Sequence, residues 1–341
     1  MLLKRTFMVG MICLMLLVAT GTAKEVTKGV EYVRKGRVHV VKINLKSGLT
    51  VRPALAWDRI GAIEKVSSIA KRNGAVAAIN GTFFCLDYLS LPIGFIVING
   101  RVVNMTHLSN RTACGVTQDG RVFFWIPQVK GVVTIEGSHN FYIWGMNRSI
   151  KKNEVIVYSP EYGGTTRTRG TIDEIIVQKN RVVKISKGKG NNIIPKDGYV
   201  IALEGRSRRI INWVTEGKKI NLKFSGLDLN GGKIIHAFTG GPRLVENGKI
   251  KVTTREEGFR GYLLSPHPRT AIGVTKNNEI LMVVVDKGVT YRELAHIMLA
   301  LGANEAMALD GGFSSAMWVR KGRVGRGGRS VSNAIIVVKK K

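Results

Sequence analysis

Residues 290–315 read TYRELAHIMLALGANEAMALDGGFSS, and this stretch decides the fold class. Thr290 and Glu293 have the spacing of a capping box, in which the hydroxyl caps the helix amides and the carboxylate reaches back. Leu294, Ile297, Met298 and Leu301 then fall on one apolar face, and Gly302 ends the helix. Ala306-Met307-Ala308-Leu309 reads as a buried strand that closes on Asp310, Gly311 and Gly312, with Ser314 and Ser315 behind them. A buried strand ending in a polar residue aims that side chain into a cleft. Glycines directly after it let a ligand approach the backbone.

A second stretch, 58–84, repeats the plan. Asp58 to Arg72 is expected to be a helix capped by Asp58, with Ile60, Ile63 and Ile69 inward and Asn73-Gly74 as its stop. An apolar run then leads to Asn80-Gly81-Thr82, the counterpart of the Asp310 turn. Independently, Arg111-Thr-Ala-Cys-Gly-Val-Thr117 recurs as Arg269-Thr-Ala-Ile-Gly-Val-Thr275. The order of the two echoes reverses along the chain, which suggests pseudo-symmetric halves meeting at one site rather than a tandem repeat. The remainder is short strands: Arg37 to Leu45, Val155 to Tyr158, Ile172 to Val177, Arg181 to Ile185, Val200 to Leu203 and Ile220 to Phe224. Asp119-Gly120 and Asn247-Gly248 read as hairpin turns. The expectation is one α+β domain with two main helices on a mostly antiparallel or mixed sheet.

The N-terminus reads as an export signal. Lys4 and Arg5 precede twelve nearly unbroken apolar residues, Phe7 to Val18, and small residues follow up to Ala23. A membrane span needs roughly 20 such residues, so the reading is a signal over 1–23 and a secreted or envelope domain over 24–341; an uncleaved anchor is the alternative. Cys85 and Cys114 remain after processing, either as a bridge or as two buried thiols. The formal net charge is +30, and losing Lys4 and Arg5 leaves +28. Such a field attracts polyanions. The basic residues are scattered and accompany no nucleic-acid-binding motif, so the expected partners are anionic sugar-phosphate polymers, with membrane-surface or cell-wall association through charge. No metal spacing, nucleophile elbow or phosphate-binding Walker loop occurs, and no cofactor is expected.

Other residues carry candidate chemistry. Thr239-Gly240-Gly241 before Pro242 offers successive amides in a tight loop, the kind of concavity that binds phosphate. Arg269 can supply a bidentate fork. Asp286 ends an apolar run and is a second carboxylate at a strand end. His236 and His267 flank the loop and Arg269 respectively.

The runs Ala78–Phe84, Thr239–Gly248, Arg269–Val274 and Leu309–Ser315 resemble the phosphodiester glycosidase family, and Tyr158–Tyr162, Thr166–Thr168 and Arg329–Ala334 look like family segments too. Thr82 and Phe313 stand where relatives often have glycine, which crowds the expected pocket. The resemblance implies a hydrolase that cleaves the glycosidic C–O bond beside a phosphodiester, on a cell-envelope polymer, exopolysaccharide or glycoconjugate. A phosphate leaving group, with a second pKa near 6, relaxes the need for a general acid. On this reading Asp310 is base or nucleophile, Asn80 orients sugar or water, and Asp286 is the second carboxylate. Arg269, Thr239, Gly240 and Gly241 hold phosphate, while Gly311, Gly312, Ser314, Ser315, Arg329 and Asn333 line the pocket. The rival readings are a non-catalytic binder of anionic envelope glycopolymer and a phosphodiesterase acting at phosphorus.

Overall fold

A computed structural model describes residues 23–340 apart from 88, 107–109, 230, 231, 321, 325 and 326. The expected export signal, Ala23 apart, lies outside the described residues. The chain forms one α+β domain dominated by antiparallel strands. An eight-stranded sheet runs in the order Lys24–Thr27, Val30–Lys35, Val38–Asn44, Glu279–Val289, His267–Thr275, Ala303–Ala308, Arg243–Glu246 and Lys249–Ile250. A five-stranded sheet packs against it, with Ala77–Asn80 between Met317–Val319 and Asn333–Lys339. An eleven-stranded sheet carries Phe95–Ile98, Gly232–Thr239 and Ala113–Thr117, and a three-stranded sheet completes the set.

Strand alternation explains the layering. Met307 and Leu309 point with Ile272 and Val284 into a core shared with Ala77, Ile79 and Ile335 of the five-stranded sheet. Ala306 and Ala308 point the other way, where Leu294, Ala295 and Met298 of the Tyr291–Ala300 helix cover them. Fully burying one such large aliphatic side chain contributes about 1.5–3 kcal/mol. The helix starts as its sequence demands: the Thr290 side chain accepts from the Glu293 amide, and the Glu293 carboxylate accepts from the Thr290 amide at 2.7 Å.

The other expected helix is shorter than its pattern. Only Val66–Arg72 is helical, with Lys65 as its cap. Trp57 and Asp58 take positive φ (50° and 54°) and Gly61 takes 81°, so the chain turns where the helix was expected to begin. Asp58 pairs with Arg72 instead of capping, and Ile63 is exposed. Buried Glu64 organises this turn, accepting from the Trp57 amide, the Ser68 hydroxyl and Arg72. Asn247 and Gly248 both take positive φ in their hairpin, as the turn type requires. Cys85 and Cys114 are separate thiols.

The sequence echoes lie on different sheets. Arg111 precedes a strand of the eleven-stranded sheet, while Arg269 begins the matching run in the eight-stranded sheet. Asn80 ends a strand of the five-stranded sheet, and Asp310 follows a strand of the eight-stranded one. Both units run from a helix through a strand into the turn, Val66–Arg72 to Ala77–Asn80 and Tyr291–Ala300 to Ala303–Ala308, on sheets that differ in strand number and order.

Candidate active site

Asp310 stands where two sheets meet. The Leu309 amide donates to the Thr270 carbonyl at 2.8 Å, and the Asp310 amide to the Gly81 carbonyl at 3.3 Å. The strand thus hands its last residue to the neighbouring sheet. The Asp310 carboxylate is nearly buried; Oδ1 accepts from the Gly311 amide at 3.0 Å. Its Oδ2 has no hydrogen-bond partner among the described residues and lies 3.7 Å from Arg329 Nη2. Burial pushes the Asp310 pKa up to about 6, against the opposing pull of the Ser314 hydroxyl and the Arg329 guanidinium. Arg329 is braced by its Nε–H donating to Ser314 Oγ at 2.8 Å and by the ring of Phe84 at 4.9 Å. Gly312 takes a φ of 61°, a conformation that strains any side chain, and so allows the tight turn beneath Ser314. Beside it is a recess of about 350 Å³ lined by Gly312, Phe313, Ser315, Gly327, Gly328 and Arg329. Phe313 is 71% exposed, so it forms the rim rather than crowding the floor. A larger cavity of about 570 Å³ lies elsewhere, among Phe95, Met105, Tyr142 and Trp144. Neither cavity has a carboxylate among its described lining residues; the smaller recess is singled out because its wall residue Arg329 lies 3.7 Å from the Asp310 carboxylate.

Several expected site residues are used up inside the fold. Asn80 is fully buried; its Nδ2 donates to the Asp310 carbonyl at 2.7 Å, and its Oδ1 accepts from Thr270 Oγ1 and the Ala316 amide. It fixes Asp310 from beneath instead of facing open space. Asn333, also fully buried, clamps Thr82: Oδ1 accepts from its amide at 3.0 Å and Nδ2 donates to its hydroxyl at 2.7 Å. Asn333 braces the pocket wall and does not line it.

The Thr239–Gly241 loop does not offer a phosphate cradle. The Gly240 amide donates to the Thr112 carbonyl at 2.8 Å and the Gly241 amide to the Ala308 carbonyl at 2.9 Å. Thr239 Oγ1 is engaged with the Phe95 backbone. The glycines are required for close packing, since a Cβ on Gly241 would come within 2.2 Å of Glu257 Oε2. Asp286 is held by His39 at 2.6 Å, and His39 Nδ1 meets the Tyr32 hydroxyl at 2.9 Å. The structure thus ties Asp286 to the N-terminal strands through His39. His236 is buried, and burial lowers its pKa to about 4, leaving it neutral.

Arg269 lies beside the site with most of its donors committed. Nη2 reaches the carbonyls of Leu263 and Ser265, and Nε that of Val289. Its guanidinium covers the Tyr291 ring at 3.9 Å, and a Cβ on Gly311 would meet Nη1 at 3.6 Å. Three residues absent from the expected site belong to this neighbourhood: Arg111, Tyr291 and Glu257. The Arg111 guanidinium lies 3.9 Å over the Phe259 ring and 5.4 Å from Phe83, and Phe259 packs edge-on against Tyr291 at 5.6 Å. Glu257 accepts from the Thr112 amide and hydroxyl, the Arg243 amide and the Thr253 hydroxyl. The repeat of Arg269-Thr270-Ala271 at Arg111-Thr112-Ala113 was the visible signal for Arg111. For Tyr291 and Glu257 there was none.

The framework and this turn define a class: a sheet-rich α+β domain presenting the buried Asp310 carboxylate among arginines, hydroxyls and glycines. Residues 173–338 match the family model of phosphodiester glycosidase, in agreement with the motif resemblance. A curated relative, an uncharacterized protein of Rickettsia conorii, is 32% identical over 144 residues, which is 39% of this chain and 48% of that protein. The chain thus spans about half the length of that curated relative. Among solved structures, a hypothetical protein from Synechocystis is similar with a TM-score of 0.81 at 24% identity, over 93% of this chain and 63% of that one. An exported protein of Burkholderia pseudomallei gives 0.73 at 21% identity, over 91% of this chain and 74% of that one. The catalytic domain of zebrafish N-acetylglucosamine-1-phosphodiester alpha-N-acetylglucosaminidase gives 0.50 at 14% identity, over 93% and 81%. At these identities the three structures show a shared fold.

Proposed function

We propose that the protein hydrolyses the glycosidic C–O bond of a sugar-1-phosphodiester, outside the cytoplasm, on an anionic envelope polymer or glycoconjugate. The observation that carries this reading is the Asp310 carboxylate: buried, with its Oδ2 facing Arg329 at 3.7 Å, and its pKa raised to about 6. A group so placed is ionised at neutral pH yet basic enough to take a proton, which is the condition for a general base. Asp310 removes a proton from water as the water oxygen adds to the anomeric carbon. The bond from that carbon to the phosphate oxygen breaks, and its electron pair leaves on the phosphomonoester. Asp310 then returns its proton to solvent. The glycosidase signature in the C-terminal half supports attack at carbon, and the surface charge supports an anionic substrate. The apolar N-terminal run and the exported Burkholderia neighbour support a place outside the cytoplasm.

The test is hydrolysis of a sugar-1-phosphodiester in oxygen-18 water by the wild type and Asp310→Asn. Label in the released sugar, with turnover lost in the variant, is expected. Label in phosphate would move the chemistry to phosphorus. No turnover on envelope polymers by a folded protein would leave a binder of anionic glycopolymer.

A further inference from the structure

Four buried side-chain atoms around the Asp310 turn have no hydrogen-bond partner among the described residues: Arg111 Nε, the Tyr291 hydroxyl, Asp310 Oδ2 and Ser315 Oγ. Buried polar atoms are normally satisfied, and each orphan needs a reason. Arg111 is the sharpest case: the residue is half-buried and its Nε fully so, with no hydrogen-bonded counter-charge among the described residues, and taking a guanidinium even partly out of water is costly. Its position is not accidental, since two aromatic rings, Phe83 and Phe259, hold the guanidinium plane. The nearest carboxylate, Glu257, is taken up by four other donors. Tyr291 packs edge-on against Phe259 and is buried, and Arg269 sits over its ring at 3.9 Å. Burial raises the Tyr291 pKa, with Arg269 and Arg111 opposing, so its hydroxyl stays protonated and can donate. The electrostatic partners of Tyr291 are Arg269, Arg111 and Asp310, which places all four in one neighbourhood.

We infer that Arg111 and the Tyr291 hydroxyl form an anion subsite that takes the non-bridging oxygens of a phosphate group, with Arg269 positioning Tyr291. A cation without a hydrogen bond among the described residues and a neutral donor, both packed on the Phe259 ring and close enough to interact electrostatically, match a phosphodiester monoanion. Such an anion would satisfy the orphaned Arg111 and Tyr291 atoms and bring the scissile bond toward Asp310. The assignment rests on the glycosidase reading for the identity of the substrate, but phosphate binding itself does not depend on turnover.

The experiment titrates inorganic phosphate and dimethyl phosphate into the full secreted chain by calorimetry, for the wild type, Arg111→Met and Tyr291→Phe. Tyr291→Phe keeps the ring stack and removes only the hydroxyl, so it guards against misfolding of the arginine variant. Binding by the wild type, weakened about tenfold or more in Arg111→Met and less in Tyr291→Phe, is expected. Absence of wild-type binding, or equal binding by both variants at unchanged melting temperature, overturns the subsite. Sugar release is measured in parallel. Variant-sensitive phosphate binding without wild-type sugar release would support the subsite and sink the glycosidase reading. Sugar release with unaltered KM in Arg111→Met would overturn the subsite alone.

Discussion

The Asn80 side-chain amide donates to the main-chain oxygen of Asp310 at 2.7 Å, across 230 residues of sequence and from one sheet to another. With Thr270 and the Ala316 amide donating to its Oδ1, Asn80 joins the three segments that shape the turn. Removing it leaves a buried hydroxyl and a buried amide without their acceptor. Asn80→Ala is expected to destabilise the protein by about 2–4 kcal/mol. Asn80→Asp should fare no better, because it sets a carboxylate against the Asp310 carbonyl. Urea unfolding of both variants measures this; a loss below 1 kcal/mol would mean the contacts are incidental.

The raised pKa of Asp310 makes a prediction about rate. Below about pH 6 the carboxylate is protonated and cannot accept the water proton. The value of kcat/KM should therefore rise with pH, with an apparent pKa near 6, and level off above it. A profile flat from pH 4.5 to 8 would remove Asp310 from the proton transfer.

The same shift has a consequence for stability. Because the folded pKa, about 6, exceeds the ordinary 3.8, the native state holds this proton more tightly than the unfolded chain. That contribution is fully present below about pH 3.8 and is lost as pH rises through about 6. At 1.36 kcal/mol per pH unit it amounts to about 3 kcal/mol. Asp310→Asn, which cannot ionise, should be more stable than the wild type at pH 7.5 and about equal at pH 4. Melting curves at both values decide it, and a variant less stable at pH 7.5 would contradict the burial argument.

How much of this was readable beforehand depended on the range of the interaction. The Tyr291–Ala300 helix and the Asp310 turn follow from neighbours within four residues: Thr290 and Glu293 at one end, the glycines at the other. Asp58 failed as a cap because Glu64 and Gly61 draw the chain into a turn, and nothing in the spacing of Ile60, Ile63 and Ile69 reveals that. The amides of Gly240 and Gly241 looked available because their acceptors, on Thr112 and Ala308, are far away in sequence. Asn333 was expected to line the pocket, yet its side chain is spent on Thr82, 251 residues distant. Arg111 was visible only as an echo of Arg269; its contact with the adjacent rings of Phe259 and Phe83 is a product of tertiary structure.

The proposed role of Asp310 as the base also bears on stereochemistry. Asp286 pairs with His39, and Glu257 is bound to Thr112, Arg243 and Thr253, so the proposal assigns the proton transfer to Asp310 alone. With a phosphate leaving group that needs little protonation, one base activating one water suffices. Attack from the face opposite the departing phosphate inverts the anomeric centre. Proton NMR taken in the first minutes of hydrolysis should show the opposite anomer accumulating before mutarotation. Retention would make Asp310 a nucleophile that forms a glycosyl intermediate.

Glu257 connects stability to the arginine subsite. Oε1 accepts from the Thr112 hydroxyl, the Arg243 amide and the Thr253 hydroxyl, while Oε2 accepts from the Thr112 amide. Every neighbour is a donor, so an amide in its place has no good orientation. Whichever way Glu257→Gln turns, its own NH2 must face either the Thr112 amide or the Arg243 amide. The isosteric change should therefore cost about 2–4 kcal/mol, whereas Thr253→Val, which removes one donor of four, should cost about 1 kcal/mol. Thr112 adjoins Arg111, so slackening this anchor should also displace the guanidinium from its ring stack. Urea unfolding gives the stability difference, and phosphate titration of whatever folded Glu257→Gln protein remains gives the second effect. If Gln is tolerated as well as Val at position 253, the carboxylate is not what holds Arg111 in place.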